Sequence, residues 1–280
     1  MTPPLIVNLA PTGMLPTRAD TPHVPLTPAE IASDVARCAA LGASMVHLHA
    51  RDAAGAPTTD PESIAELIRA VRAAAPELVI TATTSGRNVA DVERRASALY
   101  LEGDAKPDMA SLTLGSMNFA RDASVNAPAT VMRLAGIMLE RGIKPELEVF
   151  DLGMVNVARM LIDKGLLKAP YYFNILLGNP ATAQATLLHL GMLVNDLPPG
   201  SVWAVAGIGR FQDQATALGS VMGDGVRTGL EDNLWLDQAR TVKATNVQLV
   251  ERIAALARAQ GRPLATPAEA RARLDLPARG

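Results

Sequence analysis

His47-Leu48-His49 places two imidazoles at i and i+2. On a strand that spacing puts both on one face, about 7 Å apart at Cα, and both can then reach one metal ion at about 2.1 Å. Two readings stand for such a pair: ligands of one metal, or hydrogen-bonded core histidines. The other histidines are His23, in the Pro-rich loop Thr21-Pro22-His23-Val24-Pro25, and His189, in the helical run Leu187-Leu188-His189-Leu190. A third ligand is therefore expected from a carboxylate, because His₂Glu with one open position is a catalytic zinc set. Carboxylates are at hand. Glu146 and Glu148 alternate in Glu146-Leu147-Glu148-Val149, and Glu231-Asp232 follow shortly after Arg227. Neighbours on a regular strand face opposite ways, so Glu231 and Asp232 share a site only if the chain is turning there. Otherwise they are acids at the N-terminus of a helix begun by Asn233-Leu234. Arg227 favours the site, since a buried guanidinium needs an anionic partner. Two loops stay open in the same way. Gly207-Ile208-Gly209-Arg210 either brings backbone N–H groups to an anion or makes a tight turn; Thr83-Thr84-Ser85-Gly86-Arg87 is hydroxyl-rich and similarly ambiguous.

The elements that must position these residues are legible as alternation. Strand patterns recur at Leu5–Leu9, Met45–His49, Leu78–Thr83, Met109–Thr113, Glu146–Phe150, Tyr172–Leu176, Val202–Ala206 and Gly225–Leu230, each followed by a longer segment with helical spacing. Thr27-Pro28-Ala29-Glu30 carries Thr at the N-cap, Pro at N1 and Glu at N3; Asp60-Pro61-Glu62 and Thr266-Pro267-Ala268-Glu269 repeat the signal. Eight such units predict an α/β fold, a (β/α)8 TIM barrel. The competing doubly wound sheet would need G-x-G-x-x-G after its first strand, which is absent. One barrel domain is expected over 1–280, with roughly 260–280 as a C-terminal extension and a candidate oligomer contact. Period-2 arithmetic turns His47, His49, Arg51, Glu146, Glu148, Ser111, Thr113, Arg227 and Glu231 inward, where a purely structural barrel would carry Val, Ile and Leu.

Composition narrows the partners. The 280 residues hold 26 Lys+Arg against 28 Asp+Glu, a net charge of −2, so there is no basic excess for nucleic acid. No apolar run is long enough to span a membrane. Met1-Thr2-Pro3-Pro4 lacks the basic start of a signal peptide, and the single Cys38 forms no internal disulfide; both point to the cytoplasm.

With these residues in view, the chain resembles the beta-keto acid cleavage enzyme family, typified by 3-keto-5-aminohexanoate cleavage enzyme. The resemblance runs from Ala10-Pro11-Thr12-Gly13 through Val46-His47-Leu48-His49-Ala50-Arg51-Asp52, Met109-Ala110-Ser111-Leu112, Gly115-Ser116-Met117-Asn118-Phe119 and Lys144-Pro145-Glu146-Leu147-Glu148. It continues through Trp203 and Gly207-Ile208-Gly209-Arg210 to Val226-Arg227-Thr228-Gly229-Leu230-Glu231-Asp232-Asn233 and Thr266-Pro267. It implies a zinc-dependent barrel, usually a homotetramer, that converts a β-keto acid and acetyl-CoA into acetoacetate and a new acyl-CoA. By resemblance His47, His49 and Glu231 hold zinc and Asp232 is the base, kept ionised by Arg227. A strand-3 hydroxyl, Thr84 or Ser85, assists, while Ser111 and Glu148 touch substrate. Gly207, Gly209 and Arg210 are expected to receive CoA phosphates. Two departures bear on substrate. Leu15 stands where many members carry a substrate-facing Glu, which argues for a neutral or apolar keto acid. Arg87 replaces a Gly of the usual Ser-Thr-Gly-Gly and is an added charge able to read an anionic group. Two other readings compete: a metal-dependent hydrolase of the amidohydrolase type, whose H-x-H lies on the first strand with further ligands from later ones, and a non-catalytic small-molecule-binding barrel.

Overall fold

The capping signals set where the helices begin. Thr27 accepts a hydrogen bond from Glu30 N while Glu30 reaches back to the Thr27 backbone, starting α1 (Pro28–Ala40). Asp60 caps α2 (Pro61–Ala74) through Ser63 N, without the reciprocal bond, because Ser rather than Glu stands at N3. The computed structural model describes residues 2–278; Met1, Arg279 and Gly280, the ends of the expected 1–280 domain, lie outside them.

All eight expected strands form, with ends shifted by a residue or two: β1 (Ile6–Leu9), β2 (Met45–Leu48), β3 (Val79–Ala82), β4 (Met109–Thr113), β5 (Lys144–Val149), β6 (Tyr171–Leu177), β7 (Ser201–Gly207) and β8 (Gly225–Thr228). Each pairs in parallel with the next, and β8 pairs with β1, closing the barrel. The connecting helices are α1, α2, the short α3 (Val92–Arg95), α4 (Pro128–Arg141), α5 (Leu152–Asp163), α6 (Leu187–Asn195) and α7 (Gln212–Met222), with α8 (Asn246–Ala259) after β8. A small hairpin, Met117–Asn118 with Ala123–Ser124, rises from the end of β4.

Alternation sorts the strand residues. Val46, Leu48 and Ile80 pack outward with α1 and α2 residues such as Ile31, Val35 and Ile68. Inside, the lower layer is apolar: Ile6, Met45, Val79, Met109, Tyr172 and Ala204 form one buried cluster. Two residues further along β1, β2 and β6, the same inward face carries Asn8, His47 and Asn174, all buried. The C-terminal extension closes the lower end. Ala265, and Ala270 and Leu274 of α9 (Pro267–Arg273), join that apolar cluster, and burying Leu274 alone stabilises by about 1.5–3 kcal/mol. Arg271 of α9 donates to both oxygens of Asp108 at 3.1 Å and to the Leu78 carbonyl at 3.0 Å. These residues of the extension are thus packed against the barrel of their own chain.

Candidate active site

The polar layer is built around Glu146. Its Oε1 accepts from Asn8 Nδ2 at 2.6 Å and Asn174 Nδ2 at 3.3 Å, and its Oε2 accepts from His47 Nδ1 at 2.6 Å. Burial disfavours the carboxylate, but His47, Arg227 and Asn8 hold its pKa below the usual range. Anchoring Nδ1 in this way fixes the ring and turns Nε2 toward the upper end of the barrel. There His47 Nε2 meets His49 Nε2 at 3.1 Å, and His49 Nε2 meets Glu231 Oε1 at 3.2 Å. For His49 burial dominates and its pKa is lowered, which keeps the imidazole neutral. Burial also opposes charge on His47, yet Glu146 and Glu231 outweigh it and raise its pKa. The carboxylates draw positive charge to this point.

Arg227, fully buried on β8, ties the acids together. Its Nε and Nη2 donate to Asp232 at 2.9 and 3.0 Å, Nη2 also donates to Glu231 Oε1 at 2.7 Å, and Nη1 lies 3.5 Å from Glu148. Glu231 and Asp232 face one site because β8 ends at Thr228 and the chain turns at Gly229. Gly229 has φ +145°, and a Cβ there would come within 2.1 Å of the Ala10 carbonyl oxygen, so only glycine fits. The helix expected to begin at Asn233-Leu234 does not form: Asn233 Oδ1 accepts from Trp235 N in a local turn, and the next helix, α8, waits for the Thr245/Gln248 capping box. The competing reading of these acids as helix-terminal charges therefore has no helix behind it. Burial raises the Asp232 pKa above its ordinary value, and Arg227 only partly offsets this. Glu231, against Arg227 and both histidines, is held well below its ordinary range despite its burial.

A metal ion fits this arrangement. One ligand atom each from His47, His49 and Glu231 lies within 4.8 Å of the others, and Glu231 Oε2 is buried with no hydrogen-bond partner. A cation among the three would satisfy that oxygen. A second cluster, His47 with Glu146 and Glu148, also brings its ligand atoms within 4.8 Å of one another. There, however, Glu146 already accepts three hydrogen bonds, and Glu148 accepts from Thr113 at 2.6 Å. The donor set with spare coordination is the first.

Above these residues opens a cavity of about 540 Å³, lined by His47, His49, Glu148, Arg227, Glu231 and Asp232 below and by Leu15, Ser85, Arg87, Phe119 and Trp235 higher up. Of the strand-3 hydroxyls, Ser85 lines it; Thr84 is buried, its hydroxyl donating to the Ser111 carbonyl at 2.6 Å and its N–H to Ser111 Oγ at 3.1 Å. Ser111 thus holds the β3 loop from beneath and is not among the lining residues. Gly207 sits in the β6–β7 ladder, Gly209 lines the cavity with its N–H donated to the Asp232 carbonyl at 2.7 Å, and Arg210 is exposed beside Phe211. Arg51 does not enter the layer expected of it; its guanidinium straps the Gly13, Pro16 and Gly55 carbonyls and so positions the segment carrying Leu15. His23 is exposed, and His189 Nδ1 accepts from Gln184 N at 2.8 Å, so neither joins the metal cluster. That removes the additional histidines a hydrolase of the amidohydrolase type would bring. Asn8, Phe119, Trp235, Arg121 and Arg240 were not evident from sequence as site residues. Asn8 alone carried a signal, as the one polar residue in Ile6-Val7-Asn8-Leu9.

Comparison with known proteins agrees with the geometry. The "3-keto-5-aminohexanoate cleavage enzyme" of Fusobacterium nucleatum is 39% identical over 274 residues, covering 97% of this chain and 98% of that one. The "3-oxoadipate:acetyl-CoA acetyltransferase" of Cupriavidus necator is 36% identical over 281 residues, covering 99% and 96%. Among solved structures, the apo structure of ObcA shares the fold with a TM-score of 0.80 at 21% identity, over 92% of this chain and 66% of that one. A family model for beta-keto acid cleavage enzyme matches residues 4–276. Nearly the whole chain, including His47, His49 and Glu231, falls within that match: the chain belongs to the beta-keto acid cleavage enzyme family.

Proposed function

We propose that the protein is a zinc-dependent enzyme that converts a β-keto acid and acetyl-CoA into acetoacetate and a new acyl-CoA. The observation that carries this reading is the convergence, on the floor of one cavity, of a His₂Glu donor set and the Arg227–Asp232 pair. A zinc ion held by His47, His49 and Glu231 would polarise the keto oxygen and acidify the carbon between it and the carboxylate. Asp232 is the base that takes this proton, and its raised pKa suits a proton acceptor better than an ordinary carboxylate would. Arg227 holds both Asp232 oxygens, so the carboxylate cannot rotate away from the carbon it serves. The carbanion attacks the acetyl carbonyl, a C–C bond forms and CoA leaves as thiolate. That thiolate then attacks the original keto carbon, and the bond between it and the former carbanion carbon breaks. The proton returned from Asp232 completes acetoacetate, and the remaining acyl group leaves on CoA.

Of the two strand-3 hydroxyls we assign the steadying of the developing oxyanion to Ser85, because it lines the cavity and Thr84 does not, and we assign to Glu148, which accepts from Thr113, a part of the substrate wall. The CoA phosphates are assigned to the β7 loop, where Arg240 approaches Gly209 and Arg210 stands exposed. Leu15 lines the cavity, and its apolar side chain supports a neutral or apolar keto acid over one with a cationic tail. Exposed Leu187, Leu188 and Met192 of α6 offer an apolar face for the homo-oligomer implied by the resemblance. No helix among the described residues is long and apolar enough to cross a membrane. The test is a panel of β-keto acids assayed with acetyl-CoA, before and after chelation and with zinc restored. Acetoacetate that disappears with the metal and returns with it is expected; no acetoacetate from any member overturns the reading.

A further inference from the structure

Four arginines approach or underlie the cavity from within the fold, and three of them are engaged by carbonyl or carboxylate oxygens, although Arg227 Nη1 makes no hydrogen bond and only lies 3.5 Å from Glu148. Arg51 donates to three backbone carbonyls, Arg227 to carboxylates, and Arg95 to the Thr84 and Val125 carbonyls and to Asn126 Oδ1. Arg87 differs. It is half-buried in the cavity wall, and its guanidinium carbon lies over the Phe119 ring, 3.5 Å from the centroid, with no ion pair to any described residue. Phe119 is itself fixed, its ring packed edge-on against Phe150 at 5.8 Å and 89°. The hydrogen bond Arg87 donates is from its backbone N–H, to Ser85 Oγ, so its guanidinium N–H groups are available for the two parallel hydrogen bonds by which an arginine grips a carboxylate.

The two walls that meet here are clamped together. Arg87 rides on the β3 loop and Phe119 on the hairpin after β4. Buried Arg95 bonds the first through Thr84 and the second through Val125 and Asn126. Gly86 lets this clamp pass directly beneath the loop: a Cβ there would lie 2.4 Å from Arg95 Nη1. The cation is therefore held in place before any ligand arrives. It shares its cavity with Ser85 and Glu148 and feels the charges of Glu231, Asp122 and Glu148, whereas Arg121 and Arg240 are exposed at the rim.

We propose that Arg87, on its Phe119 platform, binds a second carboxylate at the far end of the keto acid, so that the substrate is a 3-oxo dicarboxylic acid. This rests on the reaction proposed above and replaces the neutral tail expected from Leu15 alone. The reaction keeps its balance: the distal carboxylate is carried unchanged into the new acyl-CoA, while the carbon bearing the first carboxylate leaves in acetoacetate.

The experiment compares 3-oxohexanedioate with 3-oxohexanoate, which differ only by carboxylate against methyl at the sixth carbon, each with acetyl-CoA. The parent should favour the diacid by at least about tenfold in kcat/KM, and Arg87→Met should lower the diacid-to-monoacid ratio by about 10- to 100-fold, mainly through the KM of the diacid. Arg87→Lys, keeping the charge without the fork, should fall between. Because the readout is a ratio on one protein, a partly destabilised variant does not confound it. A parent that prefers the monoacid, or an unchanged ratio in Arg87→Met, overturns the proposal. So does a rise confined to the KM of acetyl-CoA, which would assign Arg87 to CoA phosphate instead. If neither acid yields acetoacetate, the reaction itself fails, and calorimetric titration of the two acids without acetyl-CoA still decides the site. Diacid binding weakened by at least tenfold in Arg87→Met supports it, and equal binding by parent and variant refutes it.

Discussion

Asp232→Asn separates chemistry from architecture at this site. The carboxylate accepts two hydrogen bonds from Arg227, at 2.9 and 3.0 Å. Asparagine keeps the shape and one acceptor oxygen, but its amide turns N–H groups toward a second guanidinium N–H. Arg227 retains Glu231 at 2.7 Å and Glu148 at 3.5 Å, so its charge stays compensated. Losing one charge-assisted bond costs about 1.5–3 kcal/mol, at roughly 2–4 °C of Tm per kcal/mol in a chain of this size. The metal donors are untouched, so zinc content should match the parent. Loss of a general base, by contrast, costs about 10²–10⁴ in rate, or roughly 2.7–5.4 kcal/mol in the barrier. The assay follows acetoacetate by coupled reduction, with zinc by elemental analysis and Tm by calorimetry on the same preparation. Full metal, a modest drop in Tm and a rate loss of at least about 100-fold are expected. Turnover within about threefold of the parent would refute Asp232 as base and favour a non-catalytic binding barrel. Zinc lost along with activity would show instead that the Arg227–Asp232 pair acts by holding Glu231 in place.

Other perturbations probe the supporting structure. Glu231→Gln removes the ligand charge that opposes Arg227 and two imidazoles, and should lower zinc affinity by at least about 10- to 100-fold in competition with a chromophoric chelator. Gly229→Ala drives a Cβ into the Ala10 carbonyl and should displace Glu231 and Asp232 together, abolishing both zinc retention and turnover; a fully active alanine variant would contradict the turn described here. Asp108→Asn at the lower end leaves buried Arg271 and Arg72 without that counter-charge and should cost about 3–5 kcal/mol in denaturant unfolding. Burial works against the Asp108 carboxylate, but Arg271, Ile80 N and Arg72 lower its pKa below the ordinary value. It therefore stabilises the fold above the unfolded pKa of about 3.9 and loses that contribution as pH falls through the lower folded value. The parent should lose stability on acidification below about pH 4, and Asp108→Asn should show a flatter acid limb.

The barrel and the inward-facing histidine and glutamate pairs were readable because both follow from local periodicity. Two imidazoles at i and i+2, two glutamates at i and i+2, and strands of regular spacing need only the pleat to place them. What the pleat does not encode is where a strand stops. Whether Glu231 and Asp232 serve one site turned on Gly229, whose reason for being glycine is the Ala10 carbonyl, a contact more than two hundred residues away in the chain. The same limit explains Thr84 and Ser85. Adjacent hydroxyls are indistinguishable in sequence, and only the β4 backbone beneath Thr84 ties one of them down. Arginines show the limit most sharply. Arg51, Arg87, Arg95 and Arg227 all carry the same charge, yet three are held by carbonyls or acids of the surrounding loops, and one is left on an aromatic face. Residue type announces that a cation is present. Which cation is free to meet substrate depends on who else has claimed its hydrogen bonds, and that is a property of the closed barrel, where loops from successive strands converge on one rim.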